Sequence, residues 1–202
     1  MNGYLNFLPK GDLSRDIKEY FLMHGSQDTY EHTLDVIEEL KNIQKQYGHT
    51  ESRSLIACYC HDLGSVVKSE DIIEFCLKNN IEISDEEKQL PSILHQKLSC
   101  FIAEKVFGIT DSVVLKAIRY HTTSRENPSM TEIEVFLSDK MSWKEDGYRE
   151  LALKIKEVVR ESKEKAILYY LSDLDKNSNH QKLYHSDSKK AFEFFRLKYS
   201  FK

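Results

Sequence analysis

Six histidine and aspartate residues lie within or at the end of five separate helical patterns of this 202-residue sequence, with two of the six adjacent in one pattern. Each has apolar neighbours at helical spacing, so each is predicted to point inward, where a polar group is costly unless it is hydrogen-bonded or bound to an ion. A metal centre would satisfy all six together, because imidazole and carboxylate groups suit iron, manganese and zinc. The six residues are His32, His61, Asp62, His95, His121 and Asp139.

Each of these residues alone also has an ordinary structural explanation. A single inward histidine, such as His32 or His95, is more often a hydrogen-bonded core residue than a ligand. Asp139 could cap a helix, and the adjacent side chains of His61 and Asp62 would project about 100° apart on a helix. The metal hypothesis therefore depends on the ordered combination. The other histidines lie near helix ends or in polar segments and are predicted to be at the surface: His24, His49, His180 and His185.

The elements that must position these residues are predicted to be α-helices, because strand-like alternation is scarce. Ser14 is predicted to cap the first helix and Gly48 to end the second. Ser84 and Glu87 have the spacing of a capping box. The longest helical pattern runs from about residue 148 to residue 174. The sequence therefore predicts an all-α fold.

The composition indicates one globular domain without a low-complexity linker. Hydrophobic residues make up 40% and charged residues 31% of the chain, which is a typical balance for a soluble domain. The net charge of −4 provides no general basic field, so no nucleic-acid partner is expected. No apolar run approaches the roughly 20 residues that span a bilayer, and no signal pattern is recognised, so a cytoplasmic location without a membrane partner is expected.

Cysteine and aromatic residues add two further expectations. The four cysteines lie in apolar helical patterns without C-x-x-C spacing, which predicts buried thiols rather than a disulfide framework or a zinc site. Aromatic residues near the end of the chain would suit either a homodimer interface or the edge of a core: Phe192, Phe194, Phe195 and Tyr199.

The order His, His-Asp, His, His, Asp resembles the HD superfamily of metal-dependent phosphohydrolases. It is most similar to the symmetrical diadenosine tetraphosphate hydrolases, the YqeK-like group. The resemblance covers residues 29 to about 141, and "AIRYHTT" followed by a distal aspartate is its most specific element. The matching segments are "YEHT", "CHD", "ILHQKLSCFIAEKVFGI", "AIRYHTT" and "VFLSDK".

This resemblance implies a helical HD-domain bundle with two divalent metal ions, iron first and manganese or zinc as alternatives. His32, His61 and Asp139 would hold one ion, His95 and His121 would hold the other, and Asp62 would bridge them. Residues 29–141 would form the metal-binding core of a single domain, residues 1–202, and residues 142–202 would form C-terminal helices packed on that core.

The implied reaction is phosphate hydrolysis by a water molecule that the metal activates, with Asp62 as the catalytic carboxylate. The implied substrate is a nucleotide, and diadenosine tetraphosphate, split to ADP, is the best single candidate. Arg125 and Thr122 are the predicted substrate-binding residues, because a guanidinium and a hydroxyl can both donate to phosphate oxygens.

Some segments differ from the pattern of the YqeK-like group. Leu63, Gly64 and Ser65 follow the HD pair where that group has Tyr-Ala-Lys, and Thr29 stands where members often carry arginine. Gly64 is expected to let the chain turn away from the site. Because the metal positions match and these neighbours do not, two alternatives stay open: a one-metal HD nucleotidase, and a nucleotide-binding module without turnover.

Overall fold

The computed structural model describes residues 2–180 and 182–200, and these residues form α-helices and short 3-10 turns without a strand. This result confirms the all-α, single-domain prediction. The helices are α1 (Leu13–Met23), α2 (Gln27–Tyr47), α3 (Ser52–Cys60), α4 (Ile72–Lys78), α5 (Asp85–Gln89), α6 (His95–Lys105), α7 (Ser112–Arg119), α8 (Met130–Met141), α9 (Arg149–Val159), α10 (Lys163–Lys176) and α11 (Ser186–Ser200).

Local capping signals determine several of these helix ends. Gly48 ends α2 with a φ of 66°, a left-handed conformation that glycine adopts without steric cost. Ser84 and Glu87 form the predicted capping box at the start of α5. The prediction for α1 was wrong by two residues, because the side chain of Asp12, rather than that of Ser14, accepts the hydrogen bond from the Arg15 N–H.

The long helix predicted from residue 148 to residue 174 is two helices. The chain leaves helical geometry after α9, and the side chain of Ser162 then accepts a hydrogen bond from the Lys165 N–H to begin α10. Buried residues continue on both sides of the break, including Val159 and Ala166. Because the apolar pattern continues through the break, hydrophobic spacing alone did not reveal it.

Two groups of buried side chains form the core, and α8 lies between them. One group joins α1, α2, α3, α6 and α7 and includes Val135 of α8. The other joins α8 to α9, α10 and α11 and includes Phe136 and Leu137 of α8. Every residue of α8 from Thr131 to Met141 is buried as a result.

The polar residues of α8 are buried with partners, as burial in a low-dielectric interior requires. Glu134 accepts hydrogen bonds from Ser54 Oγ at 2.7 Å and from Lys163 Nζ at 2.8 Å. Lys140 is 2% exposed, and its Nζ lies 2.6 Å from Asp139 Oδ2. The Glu134 contacts join α8 to α3 and α10, whereas the pair of Asp139 and Lys140 lies within α8.

Gly64 has a different role from the predicted one. A Cβ at this position would overlap the carbonyl oxygen of His95 and would lie 2.6 Å from the backbone nitrogen of Ser99. The Gly64 N–H also donates to Ser99 Oγ at 2.8 Å. Glycine is therefore needed because α6 approaches the backbone at this point, rather than because the chain turns away.

The sequence predicted buried thiols for the cysteines and surface positions for the remaining histidines, and the structure agrees with these predictions in part. Cys58, Cys60 and Cys76 are buried free thiols, and Cys100 is a half-buried free thiol. The surface prediction was wrong for His185, which is 6% exposed. The predicted surface position of the His180 side chain falls outside the described part of the structure.

The helices of the fold were compared with the length and hydropathy that a membrane-spanning helix requires. Within the described residues, none has the length and hydropathy that a membrane-spanning helix requires.

Candidate metal centre

Five helices bring the six predicted residues together. His32 lies in the second turn of α2, and Asp139 lies in the last turn of α8. His61 directly follows α3 and is followed by Asp62, while His95 begins α6 and His121 lies two residues beyond the end of α7. Residues that are distant in the sequence thus meet where several helices begin or end.

Three of the histidines are oriented by the same local hydrogen bond. The Nδ1 atoms of His61, His95 and His121 each lie 2.8 Å from the carbonyl oxygen of the residue three positions earlier: Cys58, Ser92 and Ile118. A carbonyl oxygen can only accept, so each Nδ1–H is the donor, and in the neutral form of each ring Nε2 keeps its lone pair. The lone pairs of three imidazoles therefore face the interior of the site.

Asp62 lies between two pairs of imidazoles. Its Oδ2 atom is 3.8 Å from His32 Nε2 and 3.6 Å from His61 Nε2. Its Oδ1 atom is 3.6 Å from His95 Nε2 and 3.5 Å from His121 Nε2. The carboxylate thus presents one oxygen to each pair, which is the arrangement of a bridging ligand.

The separations of these donor atoms suit metal ions. Two ligands that each lie about 2.1 Å from one ion, at octahedral or tetrahedral angles, are roughly 3.0–3.4 Å apart. His95 Nε2 and His121 Nε2 are 3.0 Å apart, and His32 Nε2 and His61 Nε2 are 3.4 Å apart. Two Nε2 lone pairs at such a distance would repel each other, and a cation held between them would replace that repulsion with coordination. Each of two donor groups could therefore hold a divalent ion, and Asp62 belongs to both groups.

The surroundings keep these groups in the protonation states that metal binding requires. Burial lowers the pKa of His61 and lowers the pKa of His121 to about 4, which favours neutral imidazole. Burial opposes ionisation of Asp62 and Asp139, but nearby imidazoles and, for Asp139, the Lys140 ammonium hold the pKa of each carboxyl well below its usual range. The surroundings therefore favour neutral imidazoles at His61 and His121 and ionised carboxylates at Asp62 and Asp139.

His32 differs from the other three histidines. Burial works to lower the pKa of His32, but the Asp139 carboxylate, whose Oδ1 lies 3.2 Å from Nε2, raises it overall. The Nδ1 of His32 lies 3.5 Å from Ser142 Oγ instead of from a carbonyl oxygen. A carboxylate that favours positive charge on this imidazole also favours a metal cation beside it.

A cavity of about 300 Å³ opens beside these residues. Thr122 lines it, and Thr122 Oγ1 lies 3.1 Å from His95 Nε2, so the structure brings this predicted substrate-binding residue to the site. Arg125 is placed differently: its Nε and Nη2 atoms donate to Glu132 at 2.5 and 2.9 Å. Phosphate binding by Arg125 stays a prediction, and it would require this ion pair to open.

Lys140 and Trp143 line the same cavity and were not singled out from the sequence. Lys140 Nζ lies 4.9 Å from the centre of the Trp143 ring and 5.0 Å from that of Phe136. Burial disfavours the ammonium, but Asp139 and the surrounding groups raise the pKa of Lys140 overall. Its position directly after Asp139 in the segment "VFLSDK" was the available signal.

Comparison with known proteins gives the same family as the motif. The family model described as HD domain matches residues 29–174, which is well over half of the chain. HD domains bind divalent metals, and this match contains all six residues of the cluster. The predicted resemblance to the HD superfamily is therefore confirmed.

Curated relatives and a solved structure agree with this result. A Lactococcus lactis subsp. cremoris protein, described as an uncharacterized protein in the pepC 5' region, is 40% identical over 46% of this chain and 48% of its own. A Halalkalibacterium halodurans protein named symmetrical bis(5'-nucleosyl)-tetraphosphatase is 28% identical, over 57% of this chain and 62% of that protein. A Staphylococcus aureus protein with the same name is 31% identical, over 54% of this chain and 56% of that protein. The chain thus spans about half to three fifths of the length of these relatives.

The structural match covers more of both chains than the sequence matches do. A Clostridium acetobutylicum crystal structure, described as that of a predicted HD superfamily hydrolase involved in NAD metabolism, superposes with a TM-score of 0.79 at 26% identity. The match covers 91% of this chain and 97% of that one. The helical arrangement, the converging cluster and the family match lead to one conclusion. This chain belongs to the HD domain family.

Proposed function

We propose that this protein is a metal-dependent phosphohydrolase acting on a nucleotide, and that it splits diadenosine tetraphosphate symmetrically into two ADP molecules. The observation that carries the proposal is the position of Asp62, with one carboxylate oxygen facing each imidazole pair. A shared carboxylate suits a two-metal site for phosphate chemistry. The names of the tetraphosphatase relatives support this choice of substrate.

The residues of the chain have distinct roles in this proposal. When bound, two divalent ions supply a water molecule of lowered pKa and positive charge opposite the phosphate oxygens. The two carboxylates, Asp62 and Asp139, neutralise only part of the charge of two such ions, so a polyphosphate is attracted to the cavity. Thr122 presents a hydroxyl at the cavity wall that can donate to a phosphate oxygen. The ammonium of Lys140, which pairs with Asp139, adds positive charge at the same cavity wall.

Iron, manganese and zinc all accept this donor set, which combines imidazoles and carboxylates without a thiolate. Iron is taken first because the family resemblance implies it. The nearest thiol groups do not compete for the ions. Cys58 and Cys60 are fully buried, and burial raises the pKa of Cys60 to about 12. A protonated thiol is a poor metal ligand.

The reaction can be tested with purified protein supplied with ferrous or manganese ion under reducing conditions. Diadenosine tetraphosphate is expected to give ADP as the only nucleotide product, measured by anion-exchange chromatography. Protein treated with a chelator should be inactive and should recover when the metal is restored. Formation of AMP and ATP would contradict symmetrical cleavage, and absence of turnover across a broad nucleotide panel would contradict the enzyme proposal in favour of a binding module.

The number of ions separates the two-metal site from the one-metal nucleotidase. We expect about two equivalents of metal per chain, measured by elemental analysis, since the two donor groups share only Asp62. His95→Ala is expected to lower this value to about one, because it removes a ligand from one group. His24→Ala is a matched control, because His24 packs beside Tyr4 and Tyr20 and its Nε2 has no hydrogen-bond partner among the residues that the structure describes. One equivalent in the wild type, unchanged in His95→Ala, would favour the one-metal alternative.

A further inference from the structure

A second, larger cavity adjoins the metal centre. It has a volume of about 1160 Å³, and Thr122, Lys140 and Trp143 line both cavities. It extends from the end of α8 along the facing sides of α9 and α10. We call it the aromatic cleft, and it is defined by Trp143, Tyr148, Tyr169 and Tyr170. Its size is ample for a small-molecule site, for which roughly 300–1,000 Å³ is typical.

The aromatic cleft presents flat rings that the fold leaves accessible. The ring centroids of Trp143 and Tyr148 are 5.0 Å apart, and those of Trp143 and Tyr170 are 6.1 Å apart. Tyr148 is 56% exposed and Tyr169 is 36% exposed. Exposed aromatic rings that line a cavity are suited to stack on a flat ligand. Every nucleobase has a flat face, so any of the bases can stack on such a ring.

The charges in the cleft differ from those at the metal centre. Glu150, Glu157 and Asp173 line the part of the cleft formed by α9 and α10, together with Lys154, whose Nζ lies 2.7 Å from Glu157 Oε2. This part is therefore net negative and would repel a phosphate chain. Carboxylates accept hydrogen bonds from hydroxyl and amino groups, so the same surface suits a ribose or an exocyclic amine.

We propose that the aromatic cleft binds the nucleoside end of the substrate, with the base stacked on Tyr148 and an edge of the base against Trp143, whose ring is inclined by 64° to that of Tyr148, and with a hydroxyl or amino group directed to Asp173. This assignment rests on the proposed function, in which the phosphate chain lies at the metal centre. The shared wall of Thr122, Lys140 and Trp143 joins the two regions, so one ligand can occupy both. The cleft would thereby select nucleotides over inorganic polyphosphates.

The single tryptophan of the chain provides a direct measurement. Trp143 fluorescence, excited where adenine does not absorb, is followed while adenosine is added to chelator-treated protein. Adenosine carries no phosphate, so neither metal nor turnover is involved. We expect saturable quenching, and we expect ribose 5-phosphate, which lacks the base, to cause none.

Two variants at one position provide the matched comparison. Tyr148→Ala removes the stacking ring and is expected to weaken adenosine binding about 10-fold. Tyr148→Phe keeps the ring and is expected to bind as the wild type does. In active enzyme, Tyr148→Ala should also raise KM for diadenosine tetraphosphate about 10-fold. No saturable quenching, or equal binding by both variants, would overturn the assignment.

The outcomes also separate this inference from the proposed function. If adenosine binds in a Tyr148-dependent way but the protein hydrolyses no nucleotide, the proposed function fails and the nucleoside site stands. If diadenosine tetraphosphate is hydrolysed but adenosine binding does not depend on Tyr148, the proposed function stands and the assignment of the cleft fails.

Discussion

Asp62→Asn is expected to abolish binding of both metal ions and to lower hydrolysis by at least about 10³-fold. Asp62 is the only residue common to the two donor groups found among the described residues. Its two oxygens lie 3.5–3.8 Å from four imidazole nitrogens. An amide keeps the shape of the side chain but removes the negative charge, and one of its two ends becomes a donor that cannot coordinate a cation.

This expectation can be checked by elemental analysis, by turnover of diadenosine tetraphosphate and by circular dichroism of the folded variant. Asp28→Asn makes the same chemical change at an exposed position in the first turn of α2 and should leave metal content and turnover unchanged. An Asp62→Asn protein that is folded and still holds two ions would show that Asp62 is not a bridging ligand.

Gly64→Ala is expected to destabilise the protein by about 3 kcal/mol or more, because the new methyl group has no room and nearby backbone must move. The Cβ would meet the His95 carbonyl oxygen, the Ser99 backbone nitrogen at 2.6 Å and Leu98 Cβ at 2.7 Å. Backbone atoms of a packed helix cannot yield as a flexible side chain can. Movement of α6 would also carry His95 away from His121 and Asp62.

Thermal unfolding measures this effect. A loss of about 3 kcal/mol corresponds to a fall in Tm of roughly 6–12 °C for a chain of this size. Gly3→Ala is the control, since a Cβ there meets no atom of the described residues within 4 Å and Gly3 lacks a positive φ. Its effect should stay within about 0.5 kcal/mol. A Gly64→Ala protein as stable as the wild type would contradict the close approach of α6.

Helix ends were predictable where their signals lie within a few residues. The left-handed glycine at Gly48 and the capping box of Ser84 and Glu87 act on the adjacent turn, so they can be recognised without tertiary information. The break between α9 and α10 was not predictable from the apolar pattern, because both helices bury side chains near it. The chain reverses there to pack one helix on the other, and that packing involves distant residues.

In the candidate site, too, some features were predictable from neighbouring residues and others were not. The identities and order of the six histidine and aspartate residues were sufficient to predict the family and the ligand types. Their inward positions follow from helical periodicity, which is a property of neighbouring residues. The orientation of His61, His95 and His121 is also local, because each Nδ1–H donates to a carbonyl oxygen only three residues earlier.

Other features depend on groups that are far apart in the sequence. The burial of Lys140 among aromatic rings, the ion pair of Arg125 with Glu132 and the burial of His185 each depend on how whole helices pack. The adjoining aromatic cleft likewise combines residues from α9 and α10 with the end of α8.

By itself, the sequence determined that this protein is all-α, that it belongs to the HD family and that its inward polar groups are metal-binding types. Only the tertiary structure decided that Asp62 lies between two imidazole pairs, that Gly64 is required by the approach of α6, and that an aromatic cleft adjoins the site. The physical reason is the distance along the chain over which each interaction acts. Propensity, capping and periodicity act over one or two helical turns, whereas distances between side chains on different helices depend on the close packing of the whole core.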